Sequence, residues 1–295
     1  SRFGPSRFPA VLTDYHLHLS PDGPEARGKA ASTWEAAGGL LSPEWIGRYA
    51  ARAAARAVGE IAITEHVHRF VEARAWLDNP WWRAEAELGL DEYCEALTAA
   101  RETAGLPVLV GIEMDWLSHR REEIAALVAG RPFDIVLGSV HWLGDLAVDH
   151  PDFPAWDASP TEEVWSAYLI QLRAAAASGL FDVLAHPDLP KVFGHRMPDA
   201  LEDDLARTVE VIAESGVAIE CSSAGLRKRI GELYPDPDLL GRFNAAGIPV
   251  TLSSDAHAPE DVARDYPTAV AALRGAGYET ITRFRGRTPT QEPIA

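Results

Sequence analysis

The sequence is poor in cysteine, in positive charge and in long apolar runs, and each shortage excludes a class of protein. Two cysteines among 295 residues are too few for a disulfide framework and are typical of a reducing compartment. No apolar run approaches the roughly 20 residues of a membrane helix, and no signal-peptide pattern opens the sequence. Basic residues number 27 against 44 acidic ones, and the resulting net charge of −17 repels nucleic-acid phosphates. We therefore expect a cytoplasmic protein with no membrane or nucleic-acid partner.

Strand and helix patterns alternate along almost the whole chain. Short apolar segments predict strands at 11–17, 60–64, 107–112, 133–137, 181–184, 217–219 and 248–252, and a final strand at 281–284. Helices are predicted at 43–58, 90–104, 118–128, 161–177, 199–215, 237–246 and 266–274, with Gly59 ending the first of them. No Gly-x-Gly-x-x-Gly fingerprint of dinucleotide binding follows any predicted strand.

This alternation predicts an α/β fold. About seven strand–helix units without a break favour a closed, TIM-like (β/α) barrel over an open, doubly wound sheet. We expect a single domain over residues 13–295, preceded by a loosely held arm at residues 1–12.

His16 and His18 lie two residues apart on the first predicted strand. Alternate residues of a strand point to the same face, so both imidazoles reach one side together. Imidazole is the commonest metal ligand among side chains. Alone, however, such a pair more often marks partly buried histidines at a strand end than a metal site.

The rest of the chain repeats this placement. Six of the ten histidines and two carboxylates lie at or just beyond the carboxyl end of a predicted strand. These residues are His16, His18, His66, Glu113, His141, His186, Asp255 and His257. A barrel brings its strand ends to one face, so the eight side chains are predicted to converge there.

Bound metal would satisfy such a cluster. A lone strand-end histidine is usually a hydrogen-bonded loop residue, but eight clustered polar groups without partners would be costly to bury. Nitrogen and oxygen ligands without thiolate suit zinc, manganese or iron. Eight ligands exceed the four that one ion needs, and Glu113 is the natural bridge between two ions.

Six motifs around these positions resemble those of the polymerase-and-histidinol-phosphatase (PHP) family. They are Asp14-Tyr-His-Leu-His18, Ile63-Thr-Glu-His66, Gly111-Ile-Glu113, Gly138-Ser-Val-His141, Ala185-His-Pro-Asp188 and Ser254-Asp-Ala-His257. The stretch from Ile219 to Pro235 is similar to the histidinol-phosphatase branch in particular. The resemblance spans about residues 13 to 270 and implies the PHP fold, a distorted (β/α)7 barrel.

The resemblance also implies three divalent transition-metal ions, of zinc, manganese or iron, and how their ligands are shared. The first ion takes His16, His18, Glu113 and Asp255, the second takes Glu113, His141 and His186, and the third takes His66 and His257. The third ion needs one more ligand from the loop after the first strand. Asp22 is the candidate, because it is the only ligand-type residue in that loop before Glu25.

Basic side chains are candidates for binding a substrate phosphate. Arg227 is preferred, because it follows a strand end and its guanidinium matches two phosphate oxygens. Lys228, Lys191 and Arg69 are weaker candidates, since charged loop residues usually point to solvent. For His68, a substrate contact and a loop hydrogen bond are equally typical.

The function that these residues and the resemblance imply is metal-dependent phosphomonoester hydrolysis. The expected substrate is L-histidinol phosphate, attacked by a hydroxide that bridges two metals, with Glu113, Asp255 and Arg227 as the catalytic candidates. His68 and Arg69 depart from the family motif and leave open another small phosphorylated substrate or a cyclic phosphodiesterase. A non-catalytic PHP metal-binding module is the third alternative, opposed by the nearly intact ligand set. The oligomeric state is left open.

Overall fold

The computed structural model describes residues 11–295, in which strands and helices alternate as the sequence predicts. The strands are β1 (Leu12–Asp14), β2 (Val58–Ile63), β3 (Val108–Asp115), β4 (Ile135–Ser139), β5 (Trp142–Leu143), β6 (Leu146–Ala147), β7 (Val183–Leu184), β8 (Ala218–Ser222), β9 (Val250–Ser253), β10 (Thr280–Arg285) and β11 (Thr288–Pro293). The helices are α1 (Pro24–Glu35), α2 (Pro43–Ala55), α3 (Pro80–Glu85), α4 (Leu90–Ala100), α5 (Arg121–Ala129), α6 (Ala155–Ala158), α7 (Thr161–Ala177), α8 (Glu202–Ser215), α9 (Pro237–Ala245) and α10 (Tyr266–Gly275). Across residues 11–295, none of the helices combines the length and the apolar character needed to cross a membrane.

Seven strands form one parallel sheet in the order β1-β2-β3-β4-β7-β8-β9. Its two edges meet, because the Tyr15 amide donates to the Leu252 carbonyl at 3.3 Å and the His18 amide donates to the Ala256 carbonyl at 2.8 Å. The sheet is therefore a nearly closed barrel, and the predicted (β/α)7 architecture is confirmed.

The barrel separates two apolar cores. A small core inside the barrel packs Tyr15, Leu109, Leu137 and Phe284 with short side chains from the neighbouring strands. A larger core fills the space between the strands and the surrounding helices. Every residue of β3 is buried, as expected for a strand with both faces covered.

The hairpin of β10 and β11 covers the end of the barrel at which the strands begin. Phe284 packs edge-on against Tyr15, with ring centroids 6.5 Å apart. Arg283 and Arg285 both pair with the carboxylate of Glu60, which is fully buried near the start of β2. This hairpin leaves the carboxyl ends of the strands free for other side chains.

Three local predictions need correction or qualification. Helix α1 has no counterpart in the prediction; it begins at Pro24, and Arg27 is its one buried residue. Gly59 does not end α2 but lies within β2, where a Cβ would come within 2.5 Å of Val11 Cγ1. Leu12 belongs to β1 rather than to the expected arm, whose first ten residues lie outside the described part of the chain.

Candidate metal centre

The predicted ligands converge at the carboxyl end of the barrel. His16 and His18 follow β1, His66 follows β2, Glu113 lies in β3, and His141 and His186 follow β4 and β7. Asp255 and His257 follow β9 and complete the group. The first six of these side chains are buried, so their polar atoms are removed from bulk water.

Four side chains surround one small space. His16 Nε2 lies 3.2 Å from Glu113 Oε2 and 3.6 Å from Asp255 Oδ1, and His18 Nε2 lies 3.5 Å and 3.3 Å from the same two oxygens. A tetrahedral ion with ligand bonds of about 2.0–2.1 Å holds its ligand atoms about 3.3 Å apart. The spacing of these four atoms therefore fits one divalent ion.

The other oxygen of Glu113 faces a different pair of histidines. Glu113 Oε1 lies 3.1 Å from His186 Nε2 and 3.5 Å from His141 Nε2. One carboxylate thus presents an oxygen to each of two ligand groups, which is the arrangement of a carboxylate that bridges two metal ions.

Asp22 lies beside the remaining two histidines. Its Oδ2 atom is 3.2 Å from His66 Nε2 and 3.5 Å from His257 Nε2. The second ring nitrogen of His66, Nδ1, is 2.5 Å from Glu113 Oε2. His66 therefore connects this third group to the other two.

Several atoms in the cluster lack the partners that buried polar atoms require. Within residues 11–295, the buried atoms without a hydrogen-bond partner include Nε2 of His16, His18 and His66 and Oε2 of Glu113. Such atoms are costly to bury unless something satisfies them. Imidazole nitrogens beside carboxylate oxygens are a donor set that divalent transition metals accept, so the residues present fit metal ions.

The charges in the cluster shift the pKa values of its members. Burial alone would raise the pKa of Glu113, but the neighbouring His66, His16 and His141 hold it well below its usual range. Burial alone would lower the pKa of His141, but Asp115, Asp149 and Glu113 raise it to about 10. Without metal, an ionised Glu113 therefore faces a protonated His141.

A second layer of carboxylates holds the histidine rings, and the sequence-based prediction did not include it. His16 Nδ1 lies 2.9 Å from Glu220 Oε2, and His141 Nδ1 lies 2.7 Å from Asp115 Oδ1. Glu220 also accepts the backbone amide of His186 at 2.6 Å. Carboxylates in this position fix the ring orientation and the tautomer of a metal-binding histidine. Sequence reasoning could have found Glu220, because it lies inside the apolar segment that forms β8. A carboxylate buried in this way requires a polar partner.

Two candidate ligands have a strained backbone. His186 and Asp255 adopt φ angles of 26° and 49°, in the left-handed region that residues with a Cβ rarely occupy. The His186 carbonyl accepts from the Tyr168 hydroxyl at 3.2 Å, and the Asp255 carbonyl accepts from Arg227 Nη2 at 3.3 Å. Strain of this kind persists where surrounding contacts impose it, and it is typical of functional sites.

A cavity of about 600 Å³ opens onto the cluster, and Arg227 lines it together with His66, His141 and His186. Arg227 Nη2 donates to the Ser254 carbonyl at 2.6 Å, while Nη1 is buried and has no partner within the described residues. The guanidinium is therefore fixed in place with one nitrogen still available.

The weaker phosphate candidates lie in three different environments. Lys228 is exposed and lines the same cavity. Lys191 is buried rather than solvated, because its Nζ is 2.6 Å from Asp188 Oδ2. Arg69 is also buried, and its Nη1 donates to Ser20 Oγ at 2.7 Å. The expectation that Lys191 and Arg69 point to solvent is wrong, because each has a polar partner inside the fold.

His68 is buried against the side of the cluster. Its ring stacks on His66 with centroids 4.7 Å apart and lies 4.8 Å from the ring of Trp81. Its Nε2 is 3.8 Å from Asp22 Oδ1, and its Nδ1 is 3.9 Å from Asp115 Oδ2. These distances exceed those of a hydrogen bond.

Comparison with known proteins gives matches over most of the chain. A family model described as "PHP domain" matches residues 42–224, more than half of the sequence. A Deinococcus radiodurans protein named "Probable histidinol-phosphatase" is 38% identical over 215 residues, which are 72% of this chain and 81% of that protein. The histidinol-phosphatase of Bacillus subtilis is 23% identical over 249 residues, covering 76% of this chain and 91% of that protein.

A solved structure shares the fold. The histidinol phosphate phosphatase of Lactococcus lactis, complexed with zinc, L-histidinol and phosphate, aligns with a TM-score of 0.72. The alignment covers 95% of this chain and 98% of that one, at 20% sequence identity. The two chains therefore share a fold along nearly their whole lengths.

Proposed function

The chain belongs to the PHP domain family, and from this membership we propose that it is a metal-dependent phosphatase that hydrolyses L-histidinol phosphate to L-histidinol and phosphate. The observation that carries the proposal is the arrangement around Glu113, which presents its two oxygens to two different histidine groups. The cavity at this site is also lined by the partly unpaired guanidinium of Arg227. The Deinococcus relative supports the choice of substrate.

Three divalent ions of zinc, manganese or iron are proposed for this site. The first is assigned to His16, His18, Glu113 and Asp255, the second to Glu113, His141 and His186, and the third to Asp22, His66 and His257. When bound, such ions supply Lewis acidity and activate water at neutral pH.

The side chains of this chain have separable roles in the reaction. Glu113 holds the ligand groups together, and Asp255 contributes to the group closest to β1 and β9. Arg227 binds the phosphoryl oxygens through Nη1, because Nη2 is already engaged by the backbone. Glu220 and Asp115 keep the rings of His16 and His141 in the orientation that leaves Nε2 available.

The class of substrate and the cellular compartment are part of the proposal. Its substrate is a small phosphorylated molecule, and the net charge of −17 disfavours a nucleic-acid partner. Both cysteines are buried free thiols, which suits a reducing cytoplasm.

Phosphate release after metal removal and reloading tests this function. Protein stripped with a chelator is reloaded separately with zinc, manganese or iron and assayed on histidinol phosphate, nucleoside monophosphates and a cyclic nucleotide. We expect hydrolysis of histidinol phosphate only in reloaded samples, with more than one metal equivalent per chain. Full activity in a metal-free sample, or a clear preference for the cyclic nucleotide, would contradict the proposal.

A further inference from the structure

Asp149 lines the cavity that opens onto the candidate metal centre, and the proposed function gives this carboxylate no role. It follows strand β6 and lines the cavity that also contains His141, Arg227 and Tyr234. It is partly buried. Its negative charge contributes to raising the pKa values of His141 and Tyr234, which places it in the electrostatic environment of the cluster.

The other carboxylates that line this cavity have partners. Asp22 and Asp255 face the clustered histidines. Asp261 accepts a hydrogen bond from Arg264 Nη1 at 2.8 Å. Among the cavity-lining carboxylates of residues 11–295, Asp149 is the one for which no hydrogen bond or ion pair is found.

The backbone that carries Asp149 is held firmly. The amide of the preceding residue, Val148, donates to the His141 carbonyl at 2.9 Å, and its carbonyl accepts from Trp156 Nε1 at 2.8 Å. Val148 itself is fully buried. The carboxylate of Asp149 is thus presented from a fixed position beside a proposed metal ligand.

An unpaired carboxylate opposes the binding of a phosphate dianion, because like charges repel. The opposition disappears if the substrate brings its own positive charge to that carboxylate. Histidinol phosphate carries an ammonium group on the carbon next to the one that bears the phosphate ester. A substrate of this kind can place its phosphate on Arg227 and its ammonium on Asp149.

We infer that Asp149 binds the ammonium group of an aminoalkyl phosphate and makes the enzyme select substrates that carry this group. The inference rests on the proposed phosphatase function and deepens it, because it assigns the residue that binds the substrate ammonium group. It also gives a role to the one cavity-lining carboxylate of residues 11–295 that makes no hydrogen bond or ion pair.

A pair of substrates and a pair of variants test the inference. Metal-loaded wild type, Asp149→Asn and the control Asp145→Asn are assayed on histidinol phosphate and on its deamino analogue, imidazolylpropyl phosphate. Asp145 lies at the exposed tip of the same β5–β6 hairpin and does not line the cavity. Metal content is measured in every sample, because Asp149 lies near His141.

We expect wild type to prefer the amine-bearing substrate. Asp149→Asn should lower kcat/KM for histidinol phosphate about 10- to 100-fold, mainly through KM, while changing kcat/KM for the deamino analogue less than about threefold. Asp145→Asn should behave as wild type on both substrates. Asp149→Glu, which keeps the charge, should retain a preference for the amine and serves as the second variant if Asp149→Asn fails to fold.

The contrary outcomes are distinguishable. Equal losses on both substrates in Asp149→Asn, or an equal rate of wild type on both, would overturn the inference and leave the phosphatase function standing. Wild-type protein that is fully metal-loaded yet hydrolyses neither substrate would overturn the proposed function and the inference with it.

Discussion

Replacing Arg227 tests where the substrate phosphate is bound. The guanidinium has one nitrogen engaged with backbone carbonyls and one buried nitrogen without a partner. A charge-assisted hydrogen bond from that second nitrogen to phosphate contributes about 1.5–3 kcal/mol. Because about 1.4 kcal/mol corresponds to a tenfold change, Arg227→Ala should lower kcat/KM roughly 10- to 200-fold.

The bonds of Arg227 Nη2 give the same substitution a second effect. They hold the backbone of Ser254 and Asp255, and Asp255 has a φ of 49°. Arg227→Ala is therefore expected to weaken the retention of the ion assigned to Asp255, so kinetics must be measured with excess metal and known metal content. Arg227→Lys should recover only part of the loss, because an ammonium cannot bond the backbone and a phosphate in the forked geometry of a guanidinium.

Inhibition by inorganic phosphate provides a second measurement of the same interaction. Its inhibition constant should rise in Arg227→Ala by about the factor by which kcat/KM falls. Arg264→Ala is the control, since Arg264 lines the same cavity but is half exposed and paired with Asp261, so its loss should change either value at most about threefold. Wild-type kcat/KM and phosphate inhibition in Arg227→Ala would refute this placement of the phosphate.

Three further predictions follow from the cluster and from the barrel. Glu113→Gln removes the negative charge shared by the ligand groups. Elemental analysis should therefore find fewer metal equivalents, and phosphate release should fall by several orders of magnitude. Full metal occupancy with normal turnover would contradict the role of Glu113 as a bridge between two metal ions. Because the carboxylates raise the pKa of metal-free His141 to about 10, metal loading at pH 7 should release at least one proton, and apparent metal affinity should rise with pH up to about 10. Calorimetry in buffers of different ionisation enthalpy counts that proton, and a count of zero would be the contrary result. Phe284→Ala should lower the free energy of unfolding by about 3–5 kcal/mol in urea titrations, because Phe284 is buried against Tyr15. A loss below about 1 kcal/mol would mean that the packing of the hairpin against the inner core contributes little to stability.

The converging histidines could be predicted because the barrel converts a repeated sequence position into a shared location. Each of these candidate ligands lies at or near the end of a strand, and parallel strands of a barrel end on one face, whatever their separation in sequence. The position of Asp22 beside these histidines could be predicted for a simpler reason, since it is the only ligand-type residue between His18 and Glu25, and its role as a metal ligand stays a prediction. Its distance of 3.2 Å from His66 agrees with that expectation.

The supporting contacts could not be predicted from strand ends alone. Glu220 and His16 are 204 positions apart, and only the packed barrel brings them to 2.9 Å. Lys191 and Arg69 are exceptions to the rule that charged loop residues face solvent. Each has a buried polar partner, Asp188 for Lys191 and Ser20 for Arg69. Helix α1 was missed because it lacks an apolar stripe.

The meeting of β1 with β9 bears on when the candidate ligands can come together during synthesis. The Asp14 side chain accepts hydrogen bonds from the Ser254 amide at 2.9 Å and from its hydroxyl, across 240 positions of sequence. His16 and His18 therefore meet Asp255 only after the ninth strand has left the ribosome and docked beside the first. Until then a nascent chain presents an incomplete ligand set, and contacts so distant in sequence are among the last to form. The candidate ligand group of His16, His18, Glu113 and Asp255 is thus complete only once synthesis has passed β9 and the barrel has closed.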